Sequence, residues 1–113
     1  MNERTMTDAG IIIPALMEAT LFAAEKHRDQ RRKDARKTPY INHPIAVVNL
    51  LANVGRITDL ETLQAGMLHD TVEDTDTSPE ELEERFGLVV RDLVLEVTDD
   101  KTLEKQELSL IHI

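Results

Sequence analysis

Apolar residues in this chain recur at spacings of three and four, and prolines, glycines and capping pairs punctuate the runs up to Gly87. That period is the helical one, so the chain is committed to packing helix stripes against one another. Between Pro14 and about Lys33, the residues Leu16, Thr20, Ala23 and His27, with Met17, Leu21 and Ala24 beside them, predict one long helix with a broad apolar face. A second helix is expected from Pro44 through IAVVNLLANV to Gly55, with proline in the first turn and glycine just past the end. Thr58 and Glu61 have capping-box spacing and open a third helix, DLETLQAGMLHDTVED. Ser78, Pro79 and Glu81 open a short fourth that stops at Gly87. LVVRDLVLEVT forms a fifth, because Leu88, Arg91, Asp92 and Leu95 keep the 3.6 period despite their β-branched neighbours. The expected fold class is all-α: a bundle of about five helices in one domain, preceded by an N-terminal extension over residues 1–13.

A chain of 113 residues supports one hydrophobic core. No apolar run nears the roughly 20 residues that cross a bilayer. The apolar patch near the start is too short, and too acidic in its flanks, for a secretory signal. With 0 cysteines, disulfides, thiolate metal sites and cysteine nucleophiles are excluded, and a cytoplasmic location is expected. The net charge of −9 excludes general binding of nucleic-acid polymers, which needs a broad basic face. Lys26, Arg28, Arg31, Arg32, Lys33, Arg36 and Lys37 nevertheless gather into one short stretch, KHRDQRRKDARK. The cluster reads either as a solvated helix end that complements the macrodipole or as a site for one small anion.

The chemistry concentrates in LHDTVEDTDT, which follows the apolar LQAGM directly. Helical spacing places His69 and Glu73 on one face and Asp70 and Asp74 on the adjacent one. His69 and Asp70 can offer two ligands to one divalent cation, and the Glu–Asp pair, about 6 Å further along, lies within reach of a water on that cation. Imidazole mixed with carboxylate suits manganese, iron or zinc better than magnesium or calcium. Two ligands are too few for a catalytic centre. His43, in TPYINHPI, is the third candidate, expected at the N-cap of the second helix. His27, on the apolar stripe, reads as a core histidine. The competing reading of the whole stretch is a solvated acidic helix end in a non-catalytic interaction module.

Taken in order, RRKD, TPYINHP, MLHDTVEDTDT, Phe86–Gly87 and EVTDDKT resemble the hydrolase domain of the RelA/SpoT family in its small, stand-alone metazoan form, over about residues 14–107. The resemblance implies an all-α HD domain that binds Mn2+ and removes the 3′-pyrophosphate of guanosine 3′,5′-bis(diphosphate), ppGpp, to give GDP and pyrophosphate. Another ribose-phosphorylated nucleotide such as NADPH is the alternative substrate. It implies that His43, His69 and Asp70 hold the metal, that Glu73 and Asp74 are the acid–base pair acting on the attacking water, and that Arg32 and Lys33 lie against the nucleotide. Tyr40 falls in TPYI, as pocket wall or core. The implied partner is a small nucleotide, with no nucleic-acid polymer and no membrane.

The family also takes a metal-ligating aspartate from a KxADxxxNL segment, and these 113 residues contain none. After DDKTLEKQE the chain reads LSLIHI, residues 108–113, which match no family word. The expectation is an HD domain incomplete at its C-terminus, with a foreign or frame-shifted tail, a weakened metal site and little hydrolase activity. Its uncovered apolar face would favour aggregation or a homo-oligomer.

Overall fold

The computed structural model describes residues 3–99, with side chains from Gly10 to Thr98. Its elements in chain order are α1 (Glu3–Lys26), α2 (Asn42–Asn53), α3 (Leu60–Leu68), α4 (Thr71–Asp74), α5 (Pro79–Phe86) and α6 (Leu88–Asp99). Because α4 is one turn of four residues, the architecture is five helices and that turn. The β pairing among the described residues is one antiparallel bridge, Arg31 with Pro39. No described helix is long and apolar enough to cross a membrane. The expected foreign tail at residues 108–113 lies outside the described residues.

α3 is the hub. It packs on α1, α2 and α6, while α5 packs on α6. Leu63, Gln64, Ala65, Met67 and Leu68 of this short helix are all buried. They meet Ala19, Phe22 and Ala23 of α1, Val48 of α2, Leu82 of α5, and Val90 and Val94 of α6 in one continuous core. Gly66 lets α2 come close: a Cβ there would lie 3.0 Å from Leu51 Cδ1 and 3.4 Å from Val48 Cγ2. Phe22 and Phe86 meet edge to face at 5.3 Å, and the Arg85 guanidinium lies over both rings.

Several boundaries depart from the expected ones. α1 starts at Glu3 and runs through Pro14, so that residue is inside the helix and does not open it. It also ends at Lys26, well before Lys33, because the chain turns there, with Gln30 N–H donating to the His27 carbonyl at 2.9 Å. The broad stripe on α1 divides: Ala23 and His27 are buried and Leu16, Thr20 and Ala24 half-buried, whereas Met17 and Leu21 are exposed. α2 begins two residues before Pro44, with Ile41 at its N-cap, and His43 lies in the first turn. Proline is tolerated there because first-turn amides have no intrahelical acceptor. The cap of α3 is Asp59, not Thr58: its carboxylate accepts from Thr62 N at 3.0 Å and Thr62 Oγ1 at 2.6 Å, and a carboxylate is the stronger acceptor. The capping of α5 is as expected, with Ser78 Oγ accepting from Glu81 N at 3.1 Å, Pro79 in the first turn and Gly87 beyond the end at φ 96°.

Two outcomes follow. Leu68→Ala leaves a cavity at the centre of the core and should cost about 2–5 kcal/mol, a large part of the stability of a small domain, in chemical denaturation. The Asp59 carboxyl is held below its ordinary 3.8 by hydrogen bonds from the Thr62 hydroxyl and amide. A depressed carboxyl gives stability that is present above the unfolded value and lost as pH falls through the folded one. Asp59→Asn should therefore flatten the acid limb of a melting-temperature profile; parent and variant curves that fall in parallel would contradict this.

Candidate metal centre

Three stretches of chain meet at the site. The first is the segment between α1 and α2, which forms a small hairpin. Arg32 N–H donates to the Thr38 carbonyl at 2.8 Å and Tyr40 N–H to the Gln30 carbonyl at 2.9 Å. Asp34 closes the tip, its carboxylate accepting from Thr38 N at 3.0 Å and Thr38 Oγ1 at 2.7 Å, with Lys37 at φ 53°. The hairpin delivers Tyr40 to the start of α2, where His43 N–H donates to the Tyr40 carbonyl at 2.9 Å.

The second and third stretches are the end of α3 and the turn α4. The expected continuous helix breaks between them, at His69 and Asp70. His69 Nδ1 lies 2.7 Å from the Gly66 carbonyl, and Thr71 Oγ1 donates to the Leu68 carbonyl at 2.8 Å. Side-chain donors thus compete for the carbonyls of the last turn, which loosens the ladder. Asp70 takes φ −99° and ψ 0°, between helical and extended backbone. Asp74 N–H still donates to the Asp70 carbonyl at 2.9 Å, so the expected one-turn relation of Asp70 to Asp74 survives the break.

The break turns His69 and Asp70 towards His43. One ligand atom from each of the three lies within 4.8 Å of the others. The imidazoles of His43 and His69 are 5.4 Å apart between centroids, and Asp70 Oδ2 lies 3.0 Å from His69 Nε2 and 3.9 Å from His43 Nε2. A carbonyl can only accept, so the proton of neutral His69 sits on Nδ1 and the Nε2 lone pair faces the carboxylate. Two acceptors at 3.0 Å repel unless a proton or a cation lies between them. Bonds of about 2 Å to a shared ion separate its donors by roughly 3–4 Å, so the three atoms fit one divalent cation with little movement.

Burial alone would raise the Asp70 carboxyl. The His69 imidazole in its protonated form, by hydrogen bond and charge, followed by the Tyr40 hydroxyl and the His43 imidazole, outweighs that and holds it below the ordinary 3.8. The Tyr40 hydroxyl donates to Asp70 Oδ2. Burial first, then the neighbouring Asp70 and Asp74 carboxylates, push that phenol well above its ordinary value, so it remains a donor. Its ring lies between His27, 4.9 Å away, and His43, 5.7 Å away.

Of the residues singled out from sequence, the structure thus brings together His43, His69 and Asp70. Glu73 and Asp74 lie on α4, exposed, one turn beyond Asp70. Arg32 and Lys33 are exposed on the hairpin, so apart from Lys26 in the last turn of α1 the basic cluster is a folded loop and not a helix end. His27 is 1% exposed and so buried as expected, with Nδ1 2.7 Å from Gln30 Oε1, but it is not the fully satisfied core histidine expected, because its buried Nε2 has no hydrogen-bond partner among the described residues. The sequence pattern gives no signal for the bond from Tyr40 to Asp70 beyond the nearness of Tyr40 to His43 in TPYINHP.

An all-helical domain whose interior presents two histidines and an aspartate to one point has a donor set that could hold a divalent cation. The comparisons sharpen that. The HD domain family profile matches residues 19–110, and the chain belongs to that family. It is 59% identical over 101 residues to the guanosine-3′,5′-bis(diphosphate) 3′-pyrophosphohydrolase MESH1 of Xenopus tropicalis, an alignment that covers 89% of this chain and 54% of that protein. The guanosine-3′,5′-bis(diphosphate) 3′-pyrophosphohydrolase of Aquifex aeolicus is 51% identical over 83 residues, 74% of this chain and 11% of that one. A solved structure of a metazoan SpoT orthologue, described as hydrolysing ppGpp, aligns with a TM-score of 0.74 at 56% identity, covering 82% of this chain and 52% of that chain. The chain spans about half the length of the metazoan relatives it matches.

The Gly66 carbonyl dictates the tautomer of His69. In long-range 1H–15N correlation spectra above neutral pH, His69 should show its proton on Nδ1; an Nε2–H tautomer would contradict the geometry described.

Proposed function

We propose that this chain carries the metal-holding and water-activating part of a Mn2+-dependent hydrolase that acts on ppGpp, adding water and releasing GDP and pyrophosphate. The observation that supports it most is the convergence of His43, His69 and Asp70 within 4.8 Å, with Glu73 and Asp74 following one turn later. The names of the relatives supply the substrate. His43 and His69 would hold the ion through Nε2 and Asp70 through its carboxylate. When bound, Mn2+ supplies Lewis-acid stabilisation of charge developing on the phosphoryl oxygens and lowers the pKa of nearby water.

Glu73 and Asp74 do the proton work. One carboxylate accepts a proton from the attacking water, and the pair returns one to the ribose 3′-oxygen as its bond to phosphorus breaks. Arg32 and Lys33 hold the nucleotide from the hairpin, the guanidinium by stacking on the base plane and the ammonium as a point charge on phosphate. The substrate is a small cytosolic nucleotide and the chain has 0 cysteines, so the compartment assigned is the cytoplasm.

The test separates holding the ion from using it. His69→Ala and Asp70→Ala should each weaken Mn2+ binding at least about 10-fold by isothermal titration calorimetry. Glu73→Gln and Asp74→Asn should leave Mn2+ affinity near that of the parent while taking the chain's low rate of pyrophosphate release from ppGpp down to background. Unchanged Mn2+ binding in both of the first two variants would reduce the carboxylates to a solvated surface.

A further inference from the structure

Beyond the ligands and the acid–base pair, one side chain links the two ends of the site. The Tyr40 hydroxyl donates to Oδ2 of Asp70, the same oxygen that faces both imidazole nitrogens. A carboxylate oxygen has two lone pairs. With one occupied by the phenol, the other is left directed at the space between His43 Nε2 and His69 Nε2. Asp70 stands in the loosened stretch between α3 and α4, where its backbone alone constrains the carboxylate weakly. Without the phenol, the carboxylate could rotate to offer either oxygen.

The phenol itself is held on several sides. Its ring lies against His27 at 4.9 Å and His43 at 5.7 Å. Tyr40 N–H donates to the Gln30 carbonyl at 2.9 Å, and the Gln30 side chain meets His27 Nδ1 at 2.7 Å. A buried histidine with 1% exposure therefore underpins the ring, and the hairpin neck sets its height. We infer that Tyr40 is a positioning residue that fixes the orientation of the Asp70 carboxylate for a divalent cation, with His27 and Gln30 as its support. Outer partners of this kind typically set about 10–100-fold in metal affinity.

The inference rests on the metal-centre reading above, and the experiment distinguishes the two. Tyr40→Phe keeps the ring and its contacts with His27 and His43, so circular dichroism should show the parent fold. Mn2+ titration of the 113-residue chain should then show affinity about 10-fold or more below the parent. A role confined to stability would lower the metal-free melting temperature and leave Mn2+ affinity unchanged; that result, or any variant affinity within about twofold of the parent, overturns the inference. If the parent itself takes up no Mn2+, the metal-centre reading fails and this inference fails with it. Parent binding with an unaffected variant removes the tyrosine role alone.

Discussion

The competition for the last carbonyls of α3 shapes everything around the site. Had the backbone ladder run on without interruption, the segment from Asp59 to Asp74 would be one straight rod, with its acids splayed over two faces. Instead the His69 imidazole and the Thr71 hydroxyl reach the carbonyls of Gly66 and Leu68, and the chain yields at Asp70. The cost of loosening is borne where the packing is strongest, since Leu68 is fully buried and α3 touches three other helices. A rigid hub with a relaxed end is what lets two consecutive side chains face a histidine from another helix.

Much of this was legible in the amino-acid order. The 3.6 period, the Ser78 cap and the stop at Gly87 follow from local chemistry, which tertiary contacts did not override. His43, His69 and Asp70 stood out because a histidine before proline and a His–Asp pair ending an apolar helix have few structural uses. What stayed hidden depends on contacts distant in sequence. Nothing local says that Met17 and Leu21 point outward while Ala23 and His27 point in, because both sets fit the same stripe. The end of α1 at Lys26 was obscured by helix-favouring residues beyond it, and the turn is held by bonds to Thr38 and Tyr40, many positions later. The Tyr40–Asp70 bond joins residues 30 apart, beyond any periodic pattern.

Charge gives the site two characters. The chain carries −9 overall, and the Glu73 and Asp74 carboxylates are exposed, so an anion approaching α4 unaided would be repelled. The exposed Arg31, Arg32, Lys33, Arg36 and Lys37 of the hairpin concentrate positive charge, whose reach at physiological salt is a Debye length of about 8 Å. A dication held by His43, His69 and Asp70 would add positive charge to the site.

The hairpin between α1 and α2 has one more implication. Its neck is pinned by the bond from Tyr40 to Gln30 and by the Arg31–Pro39 bridge, whereas Arg36 and Lys37 at its tip are exposed. Length and composition at the tip can therefore drift without moving the phenol below. Added residues at the tip would change the exposed basic surface while leaving the inner centre in place, because loop closure responds only weakly to loop length.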